Sequence, residues 1–295
     1  MKHYTKLVLS GGGAKGVMIL GCLHYFQEQY LLDYIHSYYG TSIGSVIGVL
    51  LSIGMTPLGI FQEFVQSETI LHEYDANVYK VVSGAGLCPI EQFGKKIIDI
   101  IHKQIGLLDP TFQQLYDATG KRVYITGTNI DKMRGEVFSV EHTPYMYIRD
   151  AVEISCNIPL VFTRKVYNGY VYSDGVFFNN YPIDIADNHT DLVLGVNITA
   201  IQEAHDTIDS FFDWMYRLWV TPINELHIER LKHCSSYCKT FNLDSSAMSL
   251  TKMGLTVSER VKFFIEGYKQ ASVFIHNDVF LTHYISILAG MNGWD

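Results

Sequence analysis

The chain has 295 residues, 48 % of them apolar and 18 % charged, with a formal net charge of −8 at pH 7. Such a composition supplies a sizeable core and excludes a disordered chain. No block of lysine or arginine occurs, which argues against a nucleic-acid partner and against a polybasic membrane anchor.

The first ten residues lack the apolar stretch of a secretion signal, and the longest apolar runs, 43–55 and 279–291, are too short to span a bilayer. Five scattered cysteines, an odd number, fit reduced thiols better than a disulfide framework. A cytoplasmic protein without a transmembrane segment is the expectation, with peripheral contact to membranes as its extension.

In chain order, residues 6–9 form a short apolar run that stops at glycine, the pattern of a buried strand. Residues 14–29 carry apolar side chains at helical spacing. Residues 35–39 form a second strand, and 42–53, small and apolar on every side, a helix buried all round. Helical patterns follow at 57–65 and 90–104, and strands at 122–126 and 136–140. A helix covers 148–156 and ends before Pro159. Residues 162–167 and 170–173 flank Asn168-Gly169, a hairpin signal. Residues 191–198 read as a central strand, and helices are expected at 210–231 and 257–289. Strands alternating with helices predict an α/β fold, a largely parallel central sheet flanked by helices. No glycine- or proline-rich linker divides the chain. The expected organisation is a catalytic core over 1–200 and a C-terminal helical extension over 201–295 packed on it.

Two glycine clusters stand at strand ends: SGGGAKG at 10–16 and GTSIGS at 40–45. Glycine loses the most backbone entropy on folding, so such clusters need a reason. Gly11, Gly13 and Gly16 fit a dinucleotide-binding fingerprint, which keeps a nucleotide-binding module as an alternative. That reading wants an acid at the end of the second strand. Here Gly40-Thr41-Ser42 follows that strand, and Asp33 precedes it. Gly40, Ser42 and Gly44 instead make a G-x-S-x-G between a strand and a helix, the setting in which a serine is exposed on a sharp turn. Acyl transfer through such a serine needs backbone N–H donors for the oxyanion, and Gly11, Gly12 and Gly13 would offer them from the neighbouring strand. For a base, His189 and His205 would serve a Ser–Asp–His order, while Asp174-Gly175 stands at the end of the hairpin. Cys234 and Cys238 near His233 make the one loose pair with metal-ligand spacing and read as ordinary helix packing.

SGGGAKG, GTSIGS and Ser173-Asp174-Gly175, in this order, resemble the patatin-like phospholipase family. The similarity extends through 7–51, 111–139 and 151–182, roughly residues 5–200 in all. It implies the family's three-layer fold and the cleavage of lipid acyl esters, most simply phospholipid at a membrane surface. Carried over, Ser42 is the nucleophile and Asp174 the base of a Ser–Asp dyad. Gly11, Gly12 and Gly13 form the oxyanion hole. Lys15, Gly16, Gly40, Gly44 and Gly175 complete the motifs. No metal and no cofactor is implied. An acyltransferase using the same acyl-enzyme is the alternative within enzymes. One departure is Val176, where the family usually has glycine or alanine. Farther on, Phe211, Trp214, Met215, Leu218 and Trp219 form an aromatic stripe at helical spacing, either core or a lipid-facing edge.

Overall fold

A computed structural model describes residues 3–66, 89–159, 161–199, 211–246 and 255–278. Strand β1 (Tyr4–Leu9) is followed by a single 3₁₀ turn (Gly13–Lys15) and helix α1 (Gly16–Glu28). β2 (Ser37–Gly40), α2 (Ile43–Ser52), α3 (Pro57–Gln66) and α4 (Ile90–Ile105) come next. Then follow α5 (Phe112–Thr119), β3 (Arg122–Asn129), β4 (Arg134–Phe138), α6 (Ile148–Ser155), β5 (Lys165–Tyr167) and β6 (Tyr170–Ser173). Two single-turn helices, α7 (Val176–Asn179) and α8 (Ile183–Ala186), lead to β7 (Leu192–Thr199). The C-terminal third adds α9 (Phe211–Lys232), β8 (Cys238–Asp244) and α10 (Val257–Asn277).

The strands form one sheet of order β5-β6-β3-β2-β1-β7-β8, with β4 paired to β3. The five strands β3, β2, β1, β7 and β8 are parallel, and β4, β5 and β6 are antiparallel additions. Strand side chains alternate between faces. Leu7 and Leu9 of β1 enter a large core with α1, α2, α4, α6 and α10, while Val8 enters a smaller cluster with Tyr39, Tyr181, Ile183 and Val193 on the other face. Both glycine clusters leave parallel strands at their C-terminal ends, so both loops lie at one edge of the sheet.

The extension over 201–295 is more than helical. Strand β8 pairs with β7 along its whole length, from Val193↔Cys238 to Thr199↔Asp244. Only Phe241 and Leu243 of CKTFNLD are buried, the weak alternation of an edge strand, and this hid it from periodicity. Helix α10 crosses α1 where glycines meet backbone. A Cβ on Gly21 would stand 1.9 Å from Phe264 O, and one on Gly267 would stand 2.1 Å from Met18 O. The part of the expected 257–289 helix beyond 278, together with His205 and Cys88, lies outside the described residues. Helix α5 also escaped periodicity, although Thr111 and Gln114 form a reciprocal capping box at its start.

Candidate active site

Ser42 lies between β2 and α2 with φ 53° and ψ −128°, a conformation that non-glycine residues seldom take and that costs about 1–3 kcal/mol. Its flanking glycines allow the turn to close. A Cβ on Gly40 would stand 2.5 Å from the Gly44 carbonyl, and one on Gly44 would stand 2.4 Å from Leu9 O. A Cβ on Gly16 would likewise strike Ile43, the residue after the serine, at 2.5 Å.

The Ser42 Oγ–H donates to Asp174 Oδ2 at 2.8 Å. The second carboxylate oxygen, Oδ1, accepts from Val176 N–H at 2.8 Å. That contact resolves the Val176 departure, since any residue other than proline brings a backbone N–H. Asp174 is 1 % exposed. Burial pushes its carboxyl up to about 7, against the opposing pull of the Val176 N–H and the Ser42 hydroxyl. Gly175 fits tightly beneath it, since a Cβ there would stand 2.3 Å from Thr126 Oγ1. Thr128 Oγ1 donates to Asp174 O at 2.8 Å, tying the carboxylate segment to β3.

The glycine loop faces the pair. A Cβ on Gly11 would stand 3.3 Å from Ser42 Cβ. Of the three glycines expected to offer oxyanion donors, Gly11 has its N–H donating to Asn180 O at 3.0 Å. The N–H groups of Gly12 and Gly13 have no acceptor among the described residues. Gly13 takes φ 54°, and a Cβ there would meet nothing within 4 Å, so its surroundings are open. Lys15 turns away along the loop and donates from Nζ to Ser245 Oγ at 2.9 Å, at the end of β8. Burial lowers its pKa, with Asp244 opposing.

His189 precedes β7, at the opposite end of the sheet from Ser42. Asp33, before β2, is likewise at that far end. His233 reaches Glu229 at 3.3 Å, and Cys234 Sγ donates to Arg230 O. Among the described residues no three His, Cys, Asp or Glu side chains gather to hold a metal. Within the aromatic stripe, Trp214 and Leu218 are exposed, and Trp219 meets Phe177 edge to face at 6.2 Å. The side chains of Phe211 and Met215 lie outside the described residues.

Sequence reasoning missed Ser155. It is the last residue of α6, a fully buried side chain whose Oγ accepts the Ser42 N–H at 2.9 Å. The helical pattern of 148–156 marked it as one small residue among apolar ones, and no periodicity distinguishes an acceptor from a spacer.

The strained Ser42 thus stands at a strand–helix turn of an α/β fold, hydrogen-bonded to the buried Asp174 carboxylate beside the glycine loop. The profile of the patatin-like phospholipase family matches residues 7–187, and the chain belongs to that family. Probable lipid hydrolase 463L of Invertebrate iridescent virus 6 is 35 % identical over 190 residues, covering 63 % of this chain and 64 % of its relative. Among solved structures, VipD from Legionella pneumophila superposes with a TM-score of 0.57 at 16 % identity, covering 92 % of this chain and 66 % of VipD. The type III effector ExoU gives a TM-score of 0.52 at 16 % identity, over 91 % of this chain and 52 % of ExoU. This chain therefore spans slightly under two thirds of the viral relative and of VipD, and about half of ExoU. At these identities the two solved structures establish a shared fold. No helix among the described residues is long and apolar enough to cross a membrane.

Proposed function

We propose that this protein is a lipid acyl hydrolase of the phospholipase A or lysophospholipase type, working through a Ser42–Asp174 dyad and an acyl-enzyme. The observation that carries the proposal is the 2.8 Å hydrogen bond from the Ser42 hydroxyl to a buried carboxylate. Ser42 Oγ attacks the ester carbonyl carbon, and its proton passes to Asp174 Oδ2. The carbonyl oxygen becomes an oxyanion facing the Gly12 and Gly13 N–H groups, where each donor is worth about 10²–10³ in rate. Collapse of the intermediate expels the alcohol, which takes the proton from Asp174. Water then attacks the acyl-enzyme with Asp174 again as base, releasing the fatty acid and free Ser42. An ordinary aspartate is a weak base at neutral pH, and a carboxyl pushed up to about 7 is far better matched to the task.

Lipid as the substrate class follows family membership and the name of the viral relative. Helix α9 presents exposed Trp214 and Leu218, and Trp219 of the same helix rests on Phe177, three residues beyond the base. This edge is the proposed contact with the lipid surface. The test is hydrolysis of defined phospholipids by wild type, Ser42→Ala and Asp174→Asn, with and without a calcium chelator. Activity is expected from wild type alone, indifferent to the chelator, together with fluorophosphonate labelling that vanishes in Ser42→Ala. Product analysis with an added alcohol separates hydrolysis from acyl transfer. Trp214→Ala is expected to lower hydrolysis of vesicles while sparing a soluble short-chain ester.

A further inference from the structure

From its contacts with Ser42 and with Gly175, the residue after Asp174, we infer that Ser155 is a positioning residue that sets the separation of Ser42 and Asp174. This rests on the dyad reading above. Three observations meet at the C-terminal end of α6. The Ser155 hydroxyl oxygen accepts the Ser42 N–H at 2.9 Å. The Ser155 carbonyl accepts the Gly175 N–H at 3.2 Å, one residue past the carboxylate. Two residues on, the Asn157 carbonyl accepts the Asp174 N–H at 2.9 Å and the Ser173 hydroxyl at 3.2 Å. A span of three residues thus holds the nucleophile's turn from one side and the carboxylate's segment from the other. Ser42 and Asp174 are 132 positions apart in sequence, and their own loops are joined directly by the reacting hydrogen bond.

The nucleophile needs such a hold. Its φ of 53° with ψ of −128° is unfavourable, so the turn persists only while its surroundings fix it. The Ser155 oxygen is the acceptor for the Ser42 N–H, and both residues are buried. Removing the oxygen leaves a buried donor unsatisfied at the strained residue, which favours relaxation of that residue. Ser155 exchanges no proton in the reaction. Its effect passes through the position of Ser42 Oγ relative to Asp174 Oδ2.

A tie of this kind has a signature that ordinary packing lacks. The Ser42 hydrogen bond pulls the Asp174 pKa down, while burial pushes it up. Loosening that bond raises the carboxyl's pKa, and the acid limb of kcat/KM follows it. The titratable neighbour is Cys156, whose thiol is fully buried and pushed well up by burial, with Asp174 adding to the effect, so it stays neutral at working pH. The charged cluster on the same helix, Glu153 with Asp150 and Lys165, is internally paired.

The experiment compares wild type, Ser155→Ala, Ser155→Thr and Ser155→Cys on a soluble short-chain ester, with active sites titrated by a fluorophosphonate. Ser155→Ala is expected to lower kcat about 10- to 100-fold with KM nearly unchanged, the pattern of a loss confined to the transition state. Its acid-limb midpoint moves above the wild-type value. Ser155→Thr, which keeps the oxygen, restores most of the rate and the midpoint. Wild-type kcat and midpoint in folded Ser155→Ala overturn the inference, even if the melting temperature drops. Should the alanine variant fail to fold, Ser155→Cys takes its place as a weaker acceptor. A smaller change of the same kind supports the role, and wild-type kcat and midpoint in the cysteine variant overturn it. Ser42→Ala is measured alongside. If it is inactive while the Ser155 variants are normal, the positioning role alone fails; if it still hydrolyses ester, the dyad reading fails with it.

Discussion

Two regions of the molecule bury a carboxylate, and they treat it in opposite ways. Under the β5–β6 hairpin, Glu153 is 1 % exposed, and Lys165 Nζ reaches its Oε2 at 2.5 Å while also holding Asp150 at 2.9 Å. Its other oxygen, Oε1, has no hydrogen-bond partner among the described residues and lies where a Cβ on Gly94 would come within 2.0 Å. At the sheet edge, Asp174 is buried to the same degree, and among the described residues its carboxylate accepts hydrogen bonds from a hydroxyl and a backbone N–H. Burial raises the pKa of both, and at Glu153 the ammonium of Lys165 opposes it. One carboxylate is paired with a cation that opposes the effect of burial. The other has its pKa raised to about 7 with no such cation beside it, the state that the proposed role of proton acceptor requires.

The largest effect expected from breaking this contrast is kinetic. Asp174→Asn should lower kcat/KM on a soluble ester by at least about 10³-fold, a loss of the size seen when a triad member is removed. The same variant should be more stable than wild type at pH 8. The sign follows from linkage: the folded carboxyl binds its proton more tightly than the unfolded one, so the cost of ionising it is absent below about pH 4. The cost grows as pH rises and is complete above the folded value of about 7. That shift corresponds to about 4 kcal/mol at most, and asparagine escapes it while still accepting from Val176 N–H. Urea melts of both proteins at pH 5 and pH 8 check this. A stability difference that does not widen with pH would break the comparison from the Asp174 side.

Next in size is Lys165→Met, which strips the cation from Glu153. A buried ion left unpaired costs about 3–5 kcal/mol. Glu153 can escape part of that by taking a proton, so the loss should be larger at pH 8 than at pH 5 in the same melts. Ester hydrolysis per folded molecule should change little. Gly267→Ala tests a close approach of backbone to backbone. The added methyl meets Met18 O at 2.1 Å, and forcing the helices apart should cost about 1–3 kcal/mol, independent of pH. The smallest effect is read from wild type itself. Its kcat/KM should rise with pH through a single ionisation near 7 and then level, since only the ionised Asp174 accepts the serine proton.

What the sequence disclosed follows from the range of the forces involved. The β1–loop–α1 and β2–Ser42–α2 units were legible because strand, turn and helix are neighbours in the chain, and the glycines at 40 and 44 answer a clash inside one turn. The glycines at 21 and 267 were invisible for the opposite reason: each makes room for backbone at the other end of the described chain, Phe264 for Gly21 and Met18 for Gly267. Edge strand β8 carries two buried side chains in seven residues, too few to imprint a period. Asp174 was found through its motif. Its raised pKa is a property of what surrounds it, drawn from α6, β3 and the Ser42 turn, and no local window contains that. Gly11 illustrates the same limit at a single atom, since its spacing suits an oxyanion donor while its N–H is spent on Asn180.

The glycine crossing of α1 with α10 bears on how the chain is made. Strand β1 and helix α1 leave the ribosome well before the partners that cover them, β7 at 192–199 and α10 at 257–277. Until then the nascent protein carries a bare strand edge and an uncovered greasy helix. Closure over such distances is slow and invites sticking to other chains, so truncation anywhere before α10 should give an insoluble product rather than a smaller working enzyme.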